Sequence, residues 1–182
     1  MSLCERQGLP LDMVFGLKPV SRDTLEDERL FIPLLNVKVE AGVNGLINDS
    51  PEPMDRLPFK RSWLKHKGYR DEKKTLERLC LIKARGESMQ PTISDGEVLL
   101  VDTDEAVRVP EGIKNGAVYI VRWGRAGDEL SVKRVHLDWA ERQIIAVSDN
   151  ELYRPKAIDL AEGKPLRYYV FGRVAWVGKE NI

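Results

Sequence analysis

Apolar and polar positions alternate with a period of two over most of the second half of this chain. Runs at 79–84, 97–102, 117–123, 129–137, 143–147 and 168–177 each read as a short strand, with turn signals at Asp95-Gly96, Asn115-Gly116 and 124–128. In the last run Tyr169, Phe171, Arg173, Ala175 and Val177 interleave with Val170, Gly172, Val174 and Trp176. Apolar residues on both faces predict a central or covered strand. Upstream, 31–43 alternates as an extended segment, and 44–58, rich in Asn, Asp and Pro, predicts a loop. The pattern at 59–69 predicts one short helix whose basic residues form a solvated face. Residues 1–30 carry scattered charge, Gly8, Pro10 and Pro19, with only Leu11-Asp12-Met13-Val14-Phe15 to pack, and read as a linker. The expectation is a mainly β domain of short antiparallel strands over 31–182, behind a leader of residues 1–30, with no internal repeat.

Composition narrows the class. The chain has 182 residues, 42% hydrophobic and 32% charged, enough for one domain with an adequate core. Its 29 basic and 29 acidic side chains cancel, which argues against a dedicated nucleic-acid surface. Cys80 lies in the apolar run Leu79-Cys80-Leu81-Ile82, as a buried free thiol in a reducing compartment would. With Cys4 as the only other cysteine, no disulfide framework is indicated; no metal site and no cofactor are expected. No stretch has the eighteen or so apolar residues of a membrane span, and the N-terminus lacks a basic region followed by an apolar core, so no membrane partner is expected.

Candidate chemistry centres on Ser88, in the turn-like run Gly86-Glu87-Ser88-Met89-Gln90-Pro91, and Lys133, in a strand-like run. A serine hydroxyl needs a general base to act as a nucleophile near neutral pH, and lysine can be that base. Histidine is badly placed for the role: His66 sits in a charged stretch, and His136 falls on the strand face opposite Lys133. Lys133 shares its face with Val135 and Leu137, and burial there would favour the neutral amine. Gly86 permits an unusual backbone angle and Pro91 ends the ladder, so backbone N–H groups of the turn Glu87, Ser88, Met89 could face a developing oxyanion. Each residue also has a plainer reading, as a turn serine and as a strand-edge lysine with its ammonium in water.

A rival pattern is present. Ser62-Trp63-Leu64-Lys65 fits S-x-x-K and Ser148-Asp149-Asn150 fits S-D-N, two of three penicillin-binding signatures. The third is missing, because Lys74-Thr75-Leu76 lacks the glycine and precedes the S-D-N.

Taken together, the runs 84–93, Asp95-Gly96-Glu97, Val132-Lys133-Arg134-Val135, 148–153 and 171–177 resemble the self-cleaving domain of LexA and phage repressors, whose motif is Gly-Asp-Ser-Met-x-Pro. Glu87 replaces the commoner aspartate. The resemblance covers roughly 31–180 and implies a LexA- or signal-peptidase-like β fold, a Ser88/Lys133 dyad, and a cut in the chain's own Ala41-Gly42 bond. It further implies a cytoplasmic homodimer, a RecA filament on single-stranded DNA as the trigger, and a repressor inactivated in the SOS response. DNA would be bound only through a helix-turn-helix domain upstream, for which residues 1–30 are too short. A truncated regulator is therefore expected. A UmuD-like self-processing protein, a dimerisation module that no longer cuts and a peptidase acting in trans are the alternatives.

Overall fold

In the computed structural model, residues 28–36, 53–123 and 129–179 are described. One nine-stranded sheet organises them, in the order β2-β1-β3-β4-β9-β5-β6-β7-β8. The strands are β1 (Arg29–Leu35), β2 (Pro53–Lys60), β3 (Leu79–Lys83), β4 (Val98–Asp102), β5 (Val118–Trp123), β6 (Glu129–Asp138), β7 (Gln143–Val147), β8 (Lys156–Asp159) and β9 (Val170–Gly178). Two short helices, α1 (Arg61–His66) and α2 (Glu72–Arg78), bridge β2 and β3. The mainly β reading holds, with one amendment: β1 meets β3 in parallel, through Leu34 and Leu81, so the sheet is mixed.

The period-two pattern sorts side chains between cores. On β3, Cys80 and Ile82 enter one cluster with Ala84, Met89, Ile93, Ile120 and Val132, whereas Leu79 and Leu81 enter a second with Leu30, Ile32, Leu34 and Leu64. β4 divides likewise, Leu99 and Val101 against Val98 and Leu100. Both strands are covered on two faces, which is why they read as continuous apolar runs. A third cluster joins Tyr119, Val121, Val135, Ile144 and Val170. The final run lies between β4 and β5, as its two apolar faces predict. Gly172 is required there, since a Cβ would sit 2.7 Å from the Asp102 carbonyl oxygen.

Three elements depart from expectation. The loop expected at 44–58 becomes strand β2 from Pro53, paired antiparallel to β1 with Arg29 opposite Lys60. Its prolines are tolerated because β2 is a sheet edge. The helix expected over 59–69 is only α1, because Phe59 and Lys60 belong to β2. Helix α2 was not anticipated; Asp71 caps it by accepting from the Lys74 N–H at 3.0 Å.

Fully buried Asp102 fastens α2 to the sheet: Arg78 donates to both its oxygens at 2.9 and 2.6 Å, and the Tyr69 hydroxyl donates at 3.2 Å. Burial alone would raise the Asp102 pKa, but the Arg78 hydrogen bonds and the Asp104 N–H outweigh it and hold the carboxyl below its ordinary value. Removing one partner from such a pair costs about 3–5 kcal/mol. An open groove of about 540 Å³ lies between β2, α1 and β9, lined by Phe59, Trp63 and Trp176, on elements that carry neither Ser88 nor Lys133.

Candidate active site

The segment between β3 and β4 is folded into a compact turn by its own polar groups. Gly86 adopts φ 81°, a conformation that favours glycine, and its N–H donates to Asp95 Oδ1 at 2.7 Å. The Ile93 N–H donates to the Met89 carbonyl at 2.8 Å, and Gly96 N–H to the Ala84 carbonyl at 2.9 Å. Met89 and Ile93 are thereby buried in the first core cluster, and Ser88, next to Met89, is only 2% exposed. Gly86 and Gln90 N–H groups are engaged within the turn; among the described residues, those of Ser88 and Met89 donate to no protein acceptor.

Lys133 enters from β6, where Tyr119 of β5 is its cross-strand neighbour. Its neighbours follow the alternation: Val135 is fully buried and His136 is exposed. Lys133 Nζ lies 2.5 Å from Ser88 Oγ, and the lysine is 6% exposed. The two residues thus meet across 45 positions of sequence. Burial, and secondarily the nearby Lys156 ammonium, push the Lys133 pKa down to about 8, against an opposing pull from the Asp149 carboxylate. An amine with that pKa is partly neutral at physiological pH, which the plainer reading as a solvated surface lysine does not provide.

Residues after β7 brace this pair. The Asn150 N–H donates to the Ser88 carbonyl at 3.0 Å and its side-chain amide to the Glu87 carbonyl at 3.0 Å. Asp149 is gripped by Arg134, which donates to its two oxygens at 2.8 and 2.6 Å and to the Gly116 carbonyl at 2.6 Å. The Arg134 hydrogen bond, with help from Thr92, holds the Asp149 carboxyl below its ordinary range despite partial burial. In the sequence, Asp149 and Asn150 belong to a family-like run and to the rival S-D-N pattern, and Arg134 to the run around Lys133, but none of them, nor Lys156, was expected to support the pair. Their signal lay in spacing alone, since each acts through a backbone group or a charge rather than through a reactive atom.

Beside Ser88 a cavity of about 10 Å³, lined by Ala84, Met89, Ile93 and Val132 among others, holds a methyl-sized group and little more. The rival S-x-x-K pair is not gathered here, as Ser62 and Lys65 lie exposed on α1. Ala41 and Gly42 lie outside the described residues. The last described positions before them are Leu35 and Asn36, and Leu35 packs against the cluster whose Ala84, Met89, Ile93 and Val132 wall the cavity. Among the described residues, no helix is long and apolar enough to cross a membrane. Residues 33–174 match the family described as Peptidase S24-like. No curated protein matches the chain.

Proposed function

The chain belongs to the Peptidase S24-like family, and from that premise we propose that it cuts its own Ala41-Gly42 bond with a Ser88/Lys133 dyad. The observation that carries this reading is the buried 2.5 Å contact between the two side chains. Neutral Lys133 accepts the Ser88 proton as Oγ attacks the Ala41 carbonyl carbon. The oxyanion is met by the Ser88 and Met89 N–H groups, which among the described residues donate to no other protein acceptor. Lys133 then gives its proton to the departing Gly42 nitrogen, leaving an ester between Ala41 and Ser88. Water, deprotonated by Lys133, splits that ester, frees the Ala41 carboxyl group and restores the serine.

Two features suit the substrate. The methyl-sized cavity accepts alanine and excludes larger side chains. Ala41 is six residues beyond Leu35, a reach of at most about 22 Å, so the bond is tethered close to its nucleophile at high effective concentration. Such a device must be restrained, with the bond docked in a minor population that a trigger raises. By analogy with the family, the trigger is a RecA filament on single-stranded DNA and the context is a cytoplasmic, dimeric repressor of the SOS type. Its DNA contacts would be made by a separate helix-turn-helix domain. A module that has lost cleavage is disfavoured by the intact, buried dyad.

The test is intact mass under denaturing conditions after incubation at mildly alkaline pH. Wild type should yield two fragments, one ending at Ala41 and one starting at Gly42, with first-order kinetics independent of protein concentration. Ser88→Ala and Lys133→Ala should stay whole. Cleavage that persists in either variant, or that speeds up with concentration, would defeat the intramolecular dyad.

A further inference from the structure

At the end of β6 remote from Ser88, the chain builds a second cavity, of about 330 Å³. Asp138 closes β6 five residues beyond Lys133, about 17 Å along the strand. Among the described residues, four cations line the cavity, Arg108, Arg142, Lys164 and Arg167, together with the indole of Trp139, and no carboxylate does. The chain's zero net charge therefore conceals a strongly basic concavity.

Several details separate this cavity from an ordinary basic surface. Trp139 is 55% exposed, a large flat apolar face left in water at the mouth of a pocket. The Arg108 Nε is buried and has no hydrogen-bond partner among the described residues. Arg142 has φ 53°, the one positive φ outside glycine among the described residues. Glycine or asparagine would hold that turn with less strain, so the arginine side chain is presented into the cavity at some cost. The wall behind it is fixed, as the Leu160 N–H donates to the Arg142 carbonyl at 2.9 Å and the Ala161 N–H to the Tyr169 hydroxyl at 2.8 Å.

We propose that this cavity, formed by Arg108, Trp139, Arg142, Lys164 and Arg167, binds a nucleoside phosphate. The indole supplies a stacking face for a base, and the guanidinium forks and the Lys164 ammonium match a phosphate dianion. Its volume is at the small end for ligand sites and suits one nucleotide. Two cations have resident partners: Arg142 is 3.8 Å from Glu162, which is 92% exposed, and Arg167 is 2.5 Å from Glu105, which is 65% exposed. Ion pairs this exposed are weak, so a phosphate can displace them. Lys164 rests over the Tyr168 ring with its Nζ 4.5 Å from the centroid. The ligand could be a free nucleotide or one nucleotide of a single strand, and the test distinguishes them.

Isothermal titration of the full chain at pH 7 with AMP should give saturable binding that weakens with salt. Adenosine and ribose 5-phosphate should each bind at least about tenfold more weakly, since each lacks one half of the recognition. Trp139→Ala and Arg142→Ala should each cost about tenfold or more, and Glu162→Gln should tighten binding. A twelve-residue oligothymidylate binding more tightly than AMP assigns the site to a single strand; the reverse order assigns it to a free nucleotide. Absence of saturable binding at millimolar AMP overturns the proposal. So does ribose 5-phosphate matching AMP, or affinity unchanged in both Trp139→Ala and Arg142→Ala with folding intact by circular dichroism.

Discussion

If Lys133 is the base, its proton must be released more readily from the folded chain than from the unfolded one, and this is measurable without any cleavage. Its pKa lies at about 8 in the fold against 10.5 for an unperturbed lysine, chiefly because burial disfavours the charged form. Between these values the unfolded state binds more protons than the native state, so stability rises with pH across that window. Below pH 8 the fold carries the full penalty of a buried ammonium, about 3 kcal/mol, and by pH 10.5 the penalty is gone. The perturbation is Lys133→Met, an unbranched apolar replacement, made in a Ser88→Ala background so that the chain stays whole. Urea unfolding of both proteins from pH 7 to 10 gives their stability difference, in which the other titrating groups cancel. The Met variant should lead at pH 7, and its lead should shrink by about 1.4 kcal/mol per pH unit above pH 8. A companion measurement reads the same group through chemistry: log cleavage rate should climb with unit slope to about pH 8 and then level. A stability difference that is flat between pH 8 and 10 would mean that Lys133 keeps its proton in the fold, and the proposed base would be refuted.

Two further outcomes probe the bracing residues. Asn150→Ala removes the amide that holds the Glu87 carbonyl; stability should fall by about 1–2 kcal/mol in urea, and cleavage should slow about tenfold with its pH midpoint unmoved. Lys156→Met removes a charge that lowers the Lys133 pKa, so the midpoint of the rate profile should move to higher pH and cleavage at pH 7 should slow, while the alkaline plateau is kept.

Strands covered on both faces were the most legible part of the fold: Leu79-Cys80-Leu81-Ile82 is buried throughout, and 170–177, mostly buried or half-buried, is apolar on both faces, with only Trp176 exposed. β2 was hidden because Asp55 and Arg56 face solvent and Pro53 and Pro58 suit a loop as well as an edge. α2 buries Thr75 and little else, so it has no apolar stripe to reveal it; its stability comes from the Asp71 cap and the Arg78–Asp102 anchor, which are contacts between distant residues. At the site, Ser88 and Lys133 stood out only through the several runs taken together, since each alone also reads as a turn serine or a strand-edge lysine. Asn150, Asp149 and Arg134 did not stand out, because supporting a backbone carbonyl or aiming a charge leaves no local pattern.

If the Ala41-Gly42 bond is cut as proposed, the β1–β2 pairing would give severing and separation different timings. The bond lies between the two strands in sequence, so a nicked chain would still hold β1 by its pairing with β2 and its parallel contact with β3. Pulling the amino-terminal piece away would also expose Leu30, Ile32 and Leu34, at about 1.5–3 kcal/mol each. Hydrolysis would therefore leave a clasped two-piece molecule, and the slower event of letting go would decide when the two halves begin to act apart.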